Sequence, residues 1–161
     1  MDTFLKSIDW ILVKLKIIGA VCLVVMTLLT CADVIGRMLR HPVFGSVELV
    51  TFMATLSMAM ALPYTHQVKG HIGVEILVRM FSEFTQDIID LCTSVVSLIL
   101  FGIVTWQMTR YALTIQKSGE VSISLKFPEY LIIYVVAFCM LIFTLIIVRD
   151  ILDISRKMRN R

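Results

Sequence analysis

The side chains that could form a chemical site are few, because 58% of the 161 residues are hydrophobic and only 17% are charged. Asp33 is the only acidic residue inside a long apolar stretch, and Arg37 follows four residues later, on the same face of a helix. This pair indicates either an ion pair at a membrane interface or a contact with a partner subunit. A proton- or cation-coupled pump needs an acidic residue deeper in the bilayer, so Asp33 is badly placed for that role.

The remaining residue types give no pattern for a catalytic, metal or cofactor site. The histidines lie in a loop or at the end of an apolar stretch, whereas a two-haem cytochrome needs facing pairs at matched depth. The cysteines lie inside apolar stretches without CxxC spacing, which is typical of small apolar-facing side chains. No glycine-rich phosphate loop and no basic face for nucleic acid is found in the sequence. We therefore predict no catalytic residues, no cofactor, no metal and no nucleic-acid partner.

Four apolar stretches are long enough to cross a bilayer, which needs about 20 residues. Backbone amides in lipid must be bonded internally, so each stretch should be a helix. The sequence predicts a single all-α membrane domain over 1–161 with four transmembrane helices. These spans cover 17–36, 49–67, 88–109 and 130–148.

Two further segments, 2–16 and 72–84, are amphipathic rather than spanning. In each, apolar side chains share one helical face, and Glu75 and Arg79 share another face of the second segment. This pattern predicts two helices lying at the membrane surface. The alternatives are a first span that starts early and a solvated loop helix. The candidate membrane-interface residues are Lys6, Trp10, Lys14 and Lys16.

Basic residues indicate the orientation of the chain. Four spans place both termini on one side, and ten of the fifteen lysines and arginines flank the spans on that side. Because such residues are enriched on the cytoplasmic side, both termini are predicted to be cytoplasmic.

Small residues recur along the second span. Thr51, Thr55 and Ala59 follow each other at four-residue spacing, and Ser57 and Ala61 form a neighbouring pair. Small side chains let helices approach closely in lipid. The stretch therefore predicts a helix-contact surface, either internal or with a partner.

Four local signatures occur in order along the chain: Asp33–Arg37, the short loop Pro42–Glu48, Gly70–Glu75 and Ser124–Tyr130. In this order and spacing the chain resembles the DctQ family, the small membrane subunits of tripartite ATP-independent periplasmic (TRAP) transporters. The resemblance covers nearly the whole chain. It departs from the family at Glu129, where an aromatic residue often follows the proline directly.

The resemblance implies a three-component uptake system in the bacterial inner membrane. A large DctM-like subunit would carry the substrate and sodium sites and move as an elevator. A periplasmic binding protein would deliver a carboxylate-bearing solute, such as a C4-dicarboxylate or a sialic acid. The small subunit would be a scaffold, held among phospholipids, and a docking surface. Its outer loops, 38–47 and 111–127, would face the binding protein.

The candidate partner-interface residues follow from that arrangement. Arg37 and Glu48 flank the first outer loop and could pair with each other or, like Asp33, with the large subunit. Two rival functions remain: a four-span membrane oxidoreductase or electron carrier, and a self-sufficient small transporter. Glu75 and Arg79 could brace the cytoplasmic side, while Lys117, Glu120 and Lys126 could contact the binding protein.

Overall fold

The computed structural model describes residues 2–67 and 83–159, with side chains described over 10–67, 85–156 and 158–159. Its elements are four α-helices, and the described residues contain no β-strand beyond an isolated bridge between Val121 and Pro128. All four helices are long and apolar enough to cross a membrane, which confirms the predicted all-α fold with four spans. The helices are α1 (Asp2–Met38), α2 (Ser46–Gln67), α3 (Glu83–Ser118) and α4 (Tyr130–Arg159).

The first helix is longer than a span requires. Segments 2–16 and 17–36 belong to one continuous helix of 37 residues. At 1.5 Å per residue this helix is about 55 Å long, against roughly 30 Å of hydrocarbon core. The surface location of its first part stays a prediction, and most of the second amphipathic segment, 72–84, lies outside the described residues.

The loops are shorter than predicted. Residues 111–118 of the expected outer loop are the last turns of α3, which continues until Gly119 adopts φ +69° and its amide bonds to the Ile115 carbonyl at 3.1 Å. Glycine takes this left-handed conformation readily and so ends helices. The loops that join α1 to α2 and α3 to α4 are therefore 39–45 and 119–129, because Met38, Ser46 and Val47 are also helical.

Side by side in space, the helices lie in the order α1, α2, α4, α3. Extensive contacts join α1 to α2, α2 to α4 and α4 to α3, so α1 and α3 occupy the two edges. Neighbours joined by a short loop run antiparallel. α2 and α4 run in the same direction, because Glu48 at the start of α2 contacts Ser122 shortly before α4, and His66 near the end of α2 contacts Asp150. We call the end that carries loops 39–45 and 119–129 the loop end, and the opposite end the terminal end.

The core lies where α1, α2 and α4 meet. Gly19 allows α1 to approach α2 closely, because a Cβ atom there would lie 3.3 Å from Met60 Cβ and 3.4 Å from the Ser57 carbonyl oxygen. The Ser57 hydroxyl also donates a hydrogen bond to the Gly19 carbonyl at 3.0 Å. The surrounding buried cluster comprises Leu12, Leu15, Ala59, Met60, Cys139, Met140, Ile142 and Ile146.

The small residues of α2 divide into two faces. Ser57 and Ala59 are buried inside the bundle, whereas Thr51, Thr55 and Ala61 are exposed. The Thr51 and Thr55 hydroxyls donate to carbonyls four residues earlier in their own helix, at 2.8 Å. Only part of the predicted contact surface is therefore internal.

Candidate functional site at the loop end

The acidic residue inside the first span closes the loop that follows it. Asp33 is 8% exposed; its Oδ2 accepts a hydrogen bond from Arg37 Nε at 2.8 Å and its Oδ1 accepts one from the Val43 amide at 3.1 Å. The first of these bonds is the i, i+4 ion pair predicted from the sequence. Asp33 thus joins the last turns of α1 to the loop leading into α2.

The chain reverses tightly after α1. Arg40 adopts φ 59°, and the His41 amide donates to the Gly36 carbonyl at 2.8 Å. A Cβ atom at position 36 would lie 2.5 Å from the His41 carbonyl oxygen, so only glycine fits there. The reversal brings Val43 within reach of Asp33.

Glu48, in the first turn of α2, is a polar link between that helix and the 119–129 loop. Its carboxylate accepts hydrogen bonds from the Ser122 hydroxyl at 2.6 Å, the Ser124 amide at 2.7 Å and the Leu125 amide at 3.0 Å. Hydrogen bonds to an ionised carboxylate are shorter and stronger than those between neutral groups. One side chain therefore fixes a segment that lies more than seventy residues along the chain.

The 119–129 loop is also bonded internally. The Ser122 amide donates to the Phe127 carbonyl at 2.9 Å, and the Lys126 amide donates to the Ser122 carbonyl at 3.1 Å. Lys126 itself adopts φ 52°. Val121 and Pro128 form the bridge that closes the loop. The result is a compact turn held by backbone bonds at its base.

Packing against α2 completes the loop end. The Phe127 ring lies 5.9 Å from the Phe52 ring, and the Leu125 side chain covers Gly45, where a Cβ atom would lie 2.7 Å from Leu125 Cδ2. Ile123 at the tip remains 95% exposed. An apolar tip held in one position can offer contact area to a partner at low entropic cost.

The predicted interface residues are distributed over the whole molecule. The structure joins Arg37 to Asp33 and Glu48 to the 119–129 loop, rather than joining Arg37 and Glu48 to each other. Lys117 lies in the last turn of α3. The side chains of Lys6, Glu75 and Arg79 lie outside the described residues. Exposed charges at the loop end are Arg37, Arg40, Lys117, Glu120 and Lys126.

The terminal end carries a different set of contacts. Lys16 Nζ donates to the Tyr64 hydroxyl at 2.8 Å and lies 4.1 Å from the centre of that ring. Lys14 Nζ lies 5.5 Å from the Trp10 ring, which is 65% exposed. Lysine and exposed tryptophan at one helix end are typical of a membrane interface.

Sequence reasoning missed two contacts. His66 Nε2 lies 3.1 Å from Asp150 Oδ2, which is within ion-pair distance, but the two atoms are not aligned for a hydrogen bond. The His66 ring also meets the Phe143 ring edge-on, 5.2 Å away. Ser122, the partner of Glu48, was missed as well; its sequence signal is that Ser122 and Ser124 alternate with apolar residues before Phe127. Among the described residues, no three His, Cys, Asp or Glu side chains come close enough to hold a metal ion.

Comparison with known proteins assigns this architecture. The sequence profile of the family described as "Tripartite ATP-independent periplasmic transporters, DctQ component" matches residues 26–157. That range includes the loops 39–45 and 119–129 and all of the loop-end contacts described above. No curated protein and no solved structure matches the chain. With four membrane-spanning helices and a profile match over most of its length, the chain belongs to the DctQ family of TRAP transporter components and is a multi-pass inner-membrane protein.

Proposed function

We propose that this chain is the stationary frame of a TRAP transporter. It would hold a large DctM-like subunit and dock a periplasmic binding protein during sodium-driven uptake of an organic acid, such as a C4-dicarboxylate or a sialic acid. Both termini would be cytoplasmic, so the loop end faces the periplasm. The match to the DctQ family over residues 26–157 carries this proposal.

The acidic groups of the loop end support a structural role. The Asp33 carboxylate is bonded to Arg37 and Val43, and the Glu48 carboxylate is bonded to the 119–129 loop. A coupling-ion site would instead need carboxylate oxygens directed into a cavity or pathway near the bilayer centre. Both carboxylates hold loops in place, as a fixed frame requires.

The exposed residues of the loop end support docking. Lys117, Glu120 and Lys126 are exposed at the loop end, as are the tip residue Ile123 and, in the neighbouring loop, Phe44, which is 75% exposed. Charges at the rim of an interface mainly accelerate association and make it sensitive to salt. An apolar centre with a charged rim is the usual composition of a protein interface.

Reconstitution of transport tests the frame. Proteoliposomes would hold the chain alone, its cognate large subunit alone, or both, with the binding protein and a sodium gradient. We expect uptake of a labelled C4-dicarboxylate or sialic acid only when both subunits are present. Uptake by the chain alone would make it a self-sufficient transporter. Equal uptake by the large subunit alone would remove the need for a frame.

Charge reversal tests the docking surface. The double variant Lys117→Glu/Lys126→Glu should reduce uptake several-fold at limiting binding protein, because steering is lost, and uptake should recover at saturating binding protein. Arg156→Glu/Arg159→Glu, a charge change of the same sign and size at the terminal end, is the control. If uptake by the double variant is unchanged at every binding-protein concentration, these lysines have no docking role.

Thiol labelling tests the orientation. In a cysteine-free background, Lys117→Cys should react with a membrane-impermeant maleimide added to the periplasmic side of intact spheroplasts. Labelling of this position only from the cytoplasmic side would invert the proposed topology.

A further inference from the structure

The uncharged parts of the four helices do not lie side by side. Contacts between neighbouring helices show which residues of one helix are level with which residues of the next. Comparing these levels with the positions of the charged residues gives the height of the apolar region on each helix. The heights of these apolar regions depend only on the chain's own spans and do not rest on the proposed function.

Two contacts fix the levels of α3 and α4. The Thr105 and Thr144 hydroxyl oxygens lie 3.2 Å apart, and the Tyr134 hydroxyl donates to Gln116 Oε1 at 2.8 Å. The helices run antiparallel between these points, so Arg110 lies about level with Met140, by interpolation at a constant rise.

The apolar region of α3 is displaced toward the terminal end. In α4 no charged residue occurs over 130–148, whereas in α3 the uncharged stretch is 91–109. Arg110 is exposed, yet it lies level with the middle of the α4 stretch. Relative to α4, the α3 stretch is shifted by about 11 residues, or about 16 Å. If the helices stood upright, Arg110 would face the hydrocarbon core, where a charge is costly.

Aromatic residues show the same displacement independently. Trp106 is 69% exposed and Tyr111 is 51% exposed, and both lie level with the interior of the α4 stretch. Exposed tryptophan and tyrosine concentrate at the boundary between hydrocarbon and headgroups. On α4 the corresponding aromatic residues, Tyr130 and Tyr134, are at the start of the helix.

On the other side of α4, the apolar stretch of α2 is level with that of α4, and the apolar stretch of α1 is displaced toward the loop end. His66 beside Asp150 and Glu48 beside the 119–129 loop align the uncharged stretch of α2 with that of α4. The bond from Ser57 to Gly19 sets the level of α1, whose uncharged stretch, 17–32, lies several residues nearer the loop end. The apolar region therefore lies nearest the loop end on α1 and nearest the terminal end on α3.

We infer that this oblique apolar belt is the surface that contacts a phospholipid bilayer, and that the four helices are inclined together. The total displacement is about 25 Å over three interhelical spacings of about 8–10 Å, which gives an inclination of roughly 40°. This lies at the upper end of the range for membrane helices. Inclination moves Arg110 and Lys117 toward the headgroups, which their long side chains can then reach, and brings the exposed apolar half of α3 into hydrocarbon.

The helix lengths agree with this placement. The 37-residue α1 and 36-residue α3 are each about 55 Å long. Inclined by roughly 40°, such a helix spans about 42 Å along the bilayer normal, close to the thickness of a bilayer with its headgroups.

Spin-label depth measurements test the inference. Single cysteines replace Leu113 and Val96 on α3, and Phe138 and Leu152 on α4, in the full-length chain with its native cysteines removed. All four positions are exposed in the structure. The labelled chain is placed in phospholipid nanodiscs, both alone and with its co-expressed large subunit. Power saturation then compares collisions with oxygen, which enters hydrocarbon, and with a water-soluble nickel chelate.

Leu113 and Phe138 lie nearly level along the helices, and so do Val96 and Leu152. The two members of each pair should nevertheless differ in depth. We expect the label at Leu113 to be about 6 Å shallower than the label at Phe138 and more accessible to nickel, because level positions 8–10 Å apart differ by that depth at an inclination of roughly 40°. The label at Val96 should in turn be deeper than the label at Leu152 and more accessible to oxygen. Equal depths within each pair would mean upright helices and would overturn the inference. So would α3 labels that become inaccessible to both reagents once the large subunit is bound, because a protein would then cover the displaced stretch. Circular dichroism of each variant confirms that the helices remain.

Discussion

At the loop end one carboxylate, that of Glu48, holds a segment that is distant in sequence, whereas deeper in the bundle α1 meets α2 through the close approach at Gly19. The first arrangement depends on three hydrogen bonds to a few polar atoms. The second depends on the absence of a side chain. Loss of the polar contacts should therefore disorder a loop and leave the bundle intact. A change of volume at the helix contact should weaken the whole bundle.

The largest effect is expected for Gly19→Leu, because the new side chain would collide with Met60 and with the Ser57 carbonyl. Overpacking of this kind costs about 1–3 kcal/mol. Denaturation of the purified chain in mild detergent, followed by circular dichroism, measures the loss.

Gly102→Leu is the matched control, since a Cβ atom there meets nothing within 4 Å. It should leave stability unchanged or raise it, because leucine favours helix more than glycine does. Equal losses from both variants would show that the close approach at Gly19 contributes nothing.

A smaller and local effect is expected for Glu48→Ala. The Ser124 and Leu125 amides lose their acceptor, so their hydrogen exchange should accelerate about tenfold, while the denaturation midpoint of the bundle changes little. Hydrogen–deuterium exchange of peptides from the 119–129 loop measures this.

Two variants calibrate that result. Glu48→Gln keeps a carbonyl acceptor and should give an intermediate rate. Glu120→Ala removes an exposed carboxylate of the same loop and should leave these amides protected. If protection in Glu48→Ala equals that of the original chain, the backbone bonds of the loop are sufficient, and the contrast between the two regions fails.

The smallest effect is expected for Lys16→Met, which removes the hydrogen bond and the ring contact with Tyr64. An exposed cation–π contact contributes at most about 1 kcal/mol. Lys14→Met, which loses only the more distant Trp10 contact, is the control for the change in charge. A loss as large as that of Gly19→Leu would show that polar contacts also determine stability at the terminal end.

Local patterns predicted the parts of the structure that depend on near neighbours. The Asp33–Arg37 pair follows from four-residue spacing on one helix, and the spans follow from apolar stretches of sufficient length. Helix ends were predicted less well. Polarity predicts a loop for the last turns of α3, because polar residues such as Arg110 and Lys117 begin there, although the helix continues until Gly119. Polarity marks where a helix leaves lipid, not where it ends.

The sequence by itself determined the all-α membrane fold, the number of spans and the family, because hydropathy, helical period and short motifs are properties of contiguous residues. The tertiary structure alone decided that Glu48 binds the 119–129 loop, that Ser57 faces inward while Thr55 faces outward, and that the apolar stretch of α3 is displaced from that of α4. Each of these depends on which helices become neighbours and at what level they meet. That choice is made by packing between side chains tens of residues apart, such as Gly19 against Met60, which no local pattern records.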